Sequence, residues 1–378
     1  MSSLFSASAP SPIHAGPPAP AAVLVRVLVA GVNGGCETFR ARGEFAFAGN
    51  RELQGFALGA EGAGRIVALG PGVKGLQVGQ LVALNGAAAF AEYATTRSSL
   101  VVPVPVPAPG AVPSDVVDAT ARIRAGEVVV VTAAAGGTGH FAVQLAALAG
   151  CVVVAVVGGP AKAAAAAALG ARHVIDYSRE DVAASLQRLF PGGVDVVYEG
   201  VGGAVRQALL GCLAPGGRLL QLFWGGTDVE LGEGRRVIGQ IWPKDLKSLL
   251  RCRKRVFELA AAGRLRVMTD QGHERQGVEG VAEAIEYMLR GQHVGKVVIR
   301  IAEEERSLFD GGDAEMDDAP NAMAALASAA AVAANAMQQQ QRSAPPAAGA
   351  RSPTASVQFV REIDAAGNIV SNAARRTT

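Results

Sequence analysis

Cysteine is scarce in this 378-residue chain: there are four, Cys36, Cys151, Cys212 and Cys252, and none stands in a CxxC or other metal-binding spacing. Neither a disulfide framework nor a cysteine-built metal centre is expected. The thiols point instead to a reducing compartment, the cytoplasm or an organelle matrix such as that of a mitochondrion, peroxisome or plastid. Charged residues make up only 18% and nearly cancel, with 35 Lys and Arg against 33 Asp and Glu. No basic cluster is interleaved with aromatics, so nucleic acid is not an expected partner, and the run Arg251, Arg253, Lys254, Arg255 reads as a solvated helix face. Long apolar runs are missing as well. No stretch of about 18 strongly apolar residues occurs, and the alanine-rich run 319–337 is too weakly hydrophobic to span a bilayer. Aromatics amount to 5%, and with four tyrosines few phenols remain for catalysis.

What is present suits a globular protein, since half of the residues are hydrophobic and the length has room for two domains. Residues 1–21 hold Ser, Ala and Pro without acid or arginine, and read either as a disordered leader or as a partial match to a transit peptide. Between Val23 and Val102 short strands (Val23 to Val29, Gly62 to Leu69, Leu81 to Leu84, Phe90 to Thr95, Leu100 to Val102) are punctuated by Gly, Pro and Asn. That pattern predicts a small, twisted β-barrel over 22–109, closed off by the proline ladder Pro103, Pro105, Pro107, Pro109.

Over 110–267 the period changes. The β-branched run Val128 to Thr132 leads into the glycine-rich turn Ala134-Ala135-Gly136-Gly137-Thr138-Gly139, and an apolar-periodic helix follows from Phe141 to Ala149. Strands are expected at Cys151 to Val157, His173 to Tyr177, Val194 to Tyr198 and, after the turn Pro215-Gly216-Gly217, at Arg218 to Phe223. A helix over Ala161 to Leu169 ends at Gly170. This alternation predicts an α/β fold with a doubly wound parallel sheet. A helix at Val281 to Met288 and a strand at Gly295 to Ile301 then return, over 268–302, to the first domain. The remainder, 303–378, opens with the acidic stretch Glu303 to Asp318 and continues through the alanine run and Gln338 to Gln341; it reads as a disordered tail, with an interaction role as the alternative.

The turn carries the chemistry. Its small residues, Ala134, Gly136, Gly137 and Gly139, let the backbone approach a pyrophosphate, and Thr138 stands where a helix N-terminus offers N–H groups to an anion. A dinucleotide is expected there. The second strand ends Val156-Val157-Gly158-Gly159-Pro160 with no acid to bond a ribose 2′-hydroxyl, while Lys162 follows closely and Tyr177 ends the third strand. A 2′-phosphate, and so NADPH, is favoured.

Taken together, Gly31-Val32-Asn33, Gly59-Ala60-Glu61-Gly62-Ala63-Gly64, Leu69-Gly70-Pro71-Gly72-Val73, Phe90-Ala91-Glu92-Tyr93, the glycine-rich turn, Val194 to Gly203 and Gly295-Lys296-Val297-Val298 resemble the medium-chain dehydrogenase/reductase superfamily over about residues 22–302. The string Thr132 to Gly139, with Tyr198-Glu199 before Val201-Gly202-Gly203, is most similar to its zinc-independent branch of quinone oxidoreductase-like and prostaglandin reductase 3-like proteins. The resemblance implies a Rossmann domain, a GroES-like β-barrel catalytic domain and a homodimer, with 229–240 contributing to the contact. It implies NADPH-dependent reduction, without zinc, of the double bond of an α,β-unsaturated ketone (15-oxoprostaglandin-like) or of a quinone. Lys162 and Tyr177 would then meet the 2′-phosphate, with Gly158 beside them; Thr138 would meet the pyrophosphate, Gly200 and Leu222 the ribose and nicotinamide. His293 takes the place of a frequent Asn near the cofactor.

The zinc donors of other branches are missing, since Asn33 stands for the first Cys and Ala60 for the His of Gly-His-Glu. Asn33 is the remaining polar candidate for stabilising charge on a substrate carbonyl. Other positions depart from the family: Gly35-Cys36 replaces Ser-Asp, Glu44-Phe45 offers no hydroxyl, the connector 110–125 is about ten residues short, and the opening hairpin is replaced by Ser, Ala and Pro. A catalytically impaired nucleotide-binding or scaffold paralogue is therefore a second reading, and a zinc alcohol dehydrogenase a weaker third. Trp224 and Trp242 frame a segment suited to a bulky, apolar substrate.

Overall fold

The protein is described by a computed structural model that covers residues 17–34, 58–85, 89–103, 123–222, 228–239, 255–260, 262–270, 276–302, 357–363 and 369–376. Cys36, Glu44, Phe45, Trp224, Trp242, Cys252, the proline ladder beyond Pro103, most of the short connector and residues 303–356 of the tail lie outside the described residues.

The first sheet begins with β1 (Ala22–Gly31), β2 (Glu61–Leu69), β3 (Leu81–Asn85), β4 (Tyr93–Arg97) and β5 (Val101–Pro103). Alternation of valines with other residues turns Val23, Val25 and Val27 inward, onto Ile66, Val82 and Leu84. β1 pairs antiparallel with both β2 and β4, and at Gly64 the strands come so close that an added Cβ would stand 2.0 Å from the carbonyl oxygen of Arg26. The fourth strand starts at Tyr93 rather than at Phe90. Phe90 packs against the core instead of joining the ladder, and the carbonyl of Glu92 takes the N–H of Val27 at 2.8 Å.

The second sheet contains β6 (Val128–Thr132), β7 (Val152–Val157), β8 (His173–Asp176), β9 (Val194–Glu199), β10 (Leu213–Gln221), β11 (Val229–Gly232) and β12 (Arg235–Ile238). Helices α1 (Gly139–Leu148), α2 (Pro160–Ala168), α3 (Val182–Leu189) and α4 (Gly203–Gly211) lie between its strands in sequence. Read across the sheet the order is β8-β7-β6-β9-β10-β12-β11, parallel except for β11, so the order reverses between β6 and β9. Strand periodicity explains the two covered faces. Val129, Val131, Val153, Ala155 and Val157 bury against Val143, Ala146 and Ala166 of α1 and α2, while Val130, Val154 and Val156 bury against Val182, Leu186 and Leu209 of α3 and α4. β10 begins earlier than expected, because Leu213 already pairs with Val194 before a register shift that passes over the Pro215-Gly216-Gly217 turn.

The chain then returns to the first sheet through β13 (Thr269–Asp270), α5 (Val281–Leu289) and β14 (Lys296–Arg300). β14 pairs antiparallel with β1, and the α5 stripe Val281, Ala284, Ile285 and Met288 caps the core of that sheet. In the tail, two strands, β15 (Val357–Ile363) and β16 (Ile369–Arg376), pair antiparallel with each other and with no other described strand. A hairpin of that kind adds little stability by itself. No described helix is long and apolar enough to cross a membrane.

Gly64→Ala tests the tight packing of β1 on β2. The added methyl meets backbone that cannot move aside, and the variant should lose about 1–3 kcal/mol or more of stability, read as a lower urea midpoint; an unchanged midpoint would contradict the close approach.

Candidate functional site

β6 ends at the reversal of strand order, where an open α/β sheet presents a crevice. The backbone there is shaped for a close turn: Ala133 is left-handed (φ 46°), a conformation that costs an L-residue about 1–2 kcal/mol. Its carbonyl takes the N–H of Gly136 at 2.9 Å, and a Cβ on Gly139 would stand 2.2 Å from the same oxygen. Only glycine fits there. Thr138 precedes α1 without spending its hydroxyl on the helix, which leaves that group at the positive end of the helix, while the N–H groups of His140 and Phe141 bond to the carbonyls of Gly136 (3.1 Å) and Thr138 (3.2 Å).

Across the reversal, the Thr132 hydroxyl accepts the N–H of Gly200 at 2.8 Å and donates to the carbonyl of Tyr198 at 3.3 Å. Fully buried Glu199 accepts from the N–H groups of Val201 (2.6 Å) and Gly202 (2.9 Å), which fixes the turn into α4. Gly200 and Leu222 are neighbours: a Cβ on the glycine would meet the leucine at 3.7 Å.

At the ends of β7 and β8, Gly158 lies under the ring of Tyr177, which would be 2.5 Å from an added Cβ and is otherwise 56% exposed. Sequence reasoning missed Asp176. Its carboxylate accepts from the N–H of Gly159 (2.8 Å) and from the N–H and hydroxyl of Ser178 (3.0 and 2.6 Å), and these bonds hold its pKa below the usual range. Lys162 donates to the carbonyl of Gly291 at 2.5 Å; burial lowers its pKa, and Asp270 opposes that shift. Asp270 also accepts from Tyr287 (3.0 Å) and from the N–H of Val294 (2.9 Å), shaping the loop before β14. His293, in that loop, is partly buried. Its Nδ1 is buried without a partner, and its pKa is lowered by burial and by Lys162.

The same loop docks on the glycine-rich turn. Gly295 donates to the carbonyl of Ala135 at 2.7 Å, and a Cβ on Gly137 would stand 2.8 Å from Cδ of Lys296. The Lys296 ammonium forms a buried ion pair with Glu61 and donates to Oδ1 of Asn33 at 2.7 Å, while Nδ2 of Asn33 donates to Glu61 at 2.9 Å. Burial raises the pKa of Glu61 and Lys296 opposes it. The three residues come from positions 33, 61 and 296, a convergence that no local spacing encodes.

Two residues on one face of α1, also missed in the sequence, fasten the returning segment. The side chain of Gln144 donates to the carbonyl of Arg266 (2.8 Å) and accepts from its N–H (2.7 Å). Fully buried His140 accepts the N–H of Met268 at Nε2 (3.3 Å), which leaves Nδ1–H to donate to the carbonyl of Gly136 (2.9 Å). Burial lowers its pKa to about 4, so it is neutral near pH 7. Among the described residues no group of three or more His, Cys, Asp or Glu is arranged to hold a metal ion.

With this geometry in hand, comparison with known proteins gives two family matches: the "Alcohol dehydrogenase GroES-like domain" over residues 19–106 and "Zinc-binding dehydrogenase" over 137–247. Prostaglandin reductase-3 of Mus musculus is 35% identical over 276 residues, which are 65% of this chain and 73% of that protein. The quinone oxidoreductase structure from Pseudomonas syringae pv. Tomato DC3000 superposes with a TM-score of 0.61 at 27% identity, over 76% of this chain and 93% of that one. A mycobacterial structure complexed with NADPH superposes with a TM-score of 0.63 at 25% identity, over 75% and 93% of the two chains.

His140 generates a pH prediction. Its folded pKa of about 4 lies below the ordinary 6.5, so the stability it contributes is present above pH 6.5 and is lost as the pH falls towards 4. The loss should reach about 3 kcal/mol. Urea unfolding at pH 7 and at pH 4.5 should show a smaller difference in His140→Gln than in the parent; equal differences would contradict the buried neutral imidazole.

Proposed function

We propose, from the premise that this chain belongs to the medium-chain dehydrogenase/reductase superfamily, among its quinone oxidoreductases and prostaglandin reductases, that it is an NADPH-dependent reductase. It would reduce the carbon–carbon double bond of an apolar α,β-unsaturated ketone, or a quinone, without zinc. The observation that carries this reading is the seat between β6 and α1: a turn too tight for any side chain at Gly139, opening on the N-terminus of a ten-residue helix. That seat fits a pyrophosphate.

The two ends of a dinucleotide find suitable residues on either side. Ala134, Gly136, Gly137, Thr138 and Gly139 would hold the pyrophosphate, and Gly200, Leu222 and His293 would border the ribose and nicotinamide. Gly158, Lys162 and Tyr177 would receive the 2′-phosphate. Lys162 now spends its ammonium on a carbonyl, a neutral partner that a phosphate outcompetes, and the charge of Asp176 is already answered by three donors. NADPH supplies a hydride to the β-carbon of the substrate when bound. As negative charge grows on the substrate carbonyl oxygen, Asn33 would offer it the amide N–H that Glu61 does not use. Oε1 of Glu61 is taken by Lys296 and Asn33, and Oε2 is buried without a hydrogen-bond partner. Edge strand β11, with Val229 and Leu231 partly exposed, is the surface proposed for a homodimer.

The direct test is titration of the purified protein with NADPH, followed by fluorescence, and then oxidation of NADPH by a simple enone or a quinone. Binding with turnover is expected; binding without turnover would favour a nucleotide-binding scaffold, and no binding would overturn the reading. Lys162→Ala should weaken NADPH by about 1.5–3 kcal/mol, roughly 10- to 100-fold in Kd, and leave NADH unchanged. Equal losses for the two cofactors would remove Lys162 from the 2′-phosphate.

A further inference from the structure

An asparagine side chain is an ambiguous donor, because a half-turn about its last bond exchanges N–H for oxygen. Only the N–H end stabilises a developing oxyanion; the oxygen end repels it. At Asn33 the choice is made by two opposite charges. The Lys296 ammonium faces Oδ1 at 2.7 Å, the Glu61 carboxylate faces Nδ2 at 2.9 Å, and the two charges are themselves paired. Exchanging the ends would set amide hydrogens against the ammonium and amide oxygen against the carboxylate. The cation on Oδ1 also polarises the amide and strengthens its N–H groups as donors.

The surroundings are shaped around this lysine. A Cβ on Gly31 would stand 2.8 Å from Cε of Lys296 and 2.5 Å from Oε1 of Glu61, and a Cβ on Gly137 would stand 2.8 Å from Cδ of Lys296. One glycine ends β1 and the other belongs to the glycine-rich turn, so the lysine stem runs between the first sheet and the proposed cofactor seat. Backbone bonds fix its origin: Lys296 N–H to the carbonyl of Met268 (2.8 Å), Gly295 N–H to that of Ala135 (2.7 Å), and Val32 N–H to that of Val297 (3.0 Å). A buried ion pair is a poor device for stability alone, since an apolar pair of similar volume usually serves as well.

We infer that Lys296 and Glu61 are positioning residues that clamp the amide of Asn33 in the donor orientation, and that docking of β14 on the glycine-rich turn sets this clamp. The inference rests on the reading of Asn33 as the donor to a substrate carbonyl. It assigns a role to the spatial convergence of β1, β2 and β14 that the proposed reaction by itself does not require.

The test uses the full-length protein with Lys296→Met, Lys296→Arg and the double variant Lys296→Met with Glu61→Gln. The double variant removes both charges together and so leaves no unpaired ion to prevent folding. In single-turnover experiments at saturating NADPH, Lys296→Met and the double variant should transfer hydride about 100-fold more slowly than the parent, with the Kd for NADPH unchanged. Lys296→Arg, which keeps a cation on Oδ1, should recover most of the rate. Independently of activity, exchange of the Asn33 side-chain amide protons, followed by NMR in protein labelled with 15N-asparagine, should be slow in the parent and faster in the double variant. A double variant with parental hydride transfer, or with parental amide exchange, overturns the inference. A parent that turns over no substrate overturns the functional reading instead, and the exchange measurement still decides the clamp.

Discussion

Everything proposed for this protein depends on one place where the two sheets touch: Gly295 bonds to the carbonyl of Ala135, and the stem of Lys296 passes under Gly137. The glycine-rich turn belongs to the second sheet, and the strand that meets it, β14, belongs to the first. Without that contact the turn, proposed as the phosphate seat, would face solvent. With it, the seat is walled on one side by residues that end in Asn33 and Glu61.

The electrostatics of this wall follow from burial. Glu61 is fully buried and Lys296 nearly so, and each would be costly alone; with Asn33 they are joined by charge-assisted bonds through Oε1 of Glu61, while Oε2 has no hydrogen-bond partner. His140 keeps the same region free of further positive charge, because burial holds it neutral while its two nitrogens join the glycine turn to the returning segment. At the outer end the arrangement is looser. Lys162 and Tyr177 are partly exposed, and Asp176 shapes the Gly159 turn through bonds of its own.

The fold class, with its parallel sheet, and the glycine-rich turn between β6 and α1 were legible in the sequence, because they depend on local signals. Strand period two, from Val128 to Thr132 and from Val152 to Val157, sorts side chains to two faces, and the glycines stand where backbone must approach backbone. Gly158 with Tyr177 was readable for the same reason, as the ends of adjacent parallel strands. What was not legible depends on distant pairs. Glu61 and Lys296 each sit in a recognisable motif, yet nothing in either motif announces the other. His140 and Gln144 look like ordinary helix positions until a segment more than 120 residues away lies across them. The start of β4 at Tyr93 was lost to Phe90, whose side chain serves the core rather than the ladder.

The glycine-rich turn, the end of β7 and the loop into β14 are proposed to form one dinucleotide site. Hydrogen–deuterium exchange with and without NADPH distinguishes one site from separate segments. Saturating NADPH should protect the backbone of 134–139, 158–162 and 291–297 together, with the protection at 158–162 reduced when NADH replaces NADPH. Protection confined to one of these segments, or none at all, would contradict the claim.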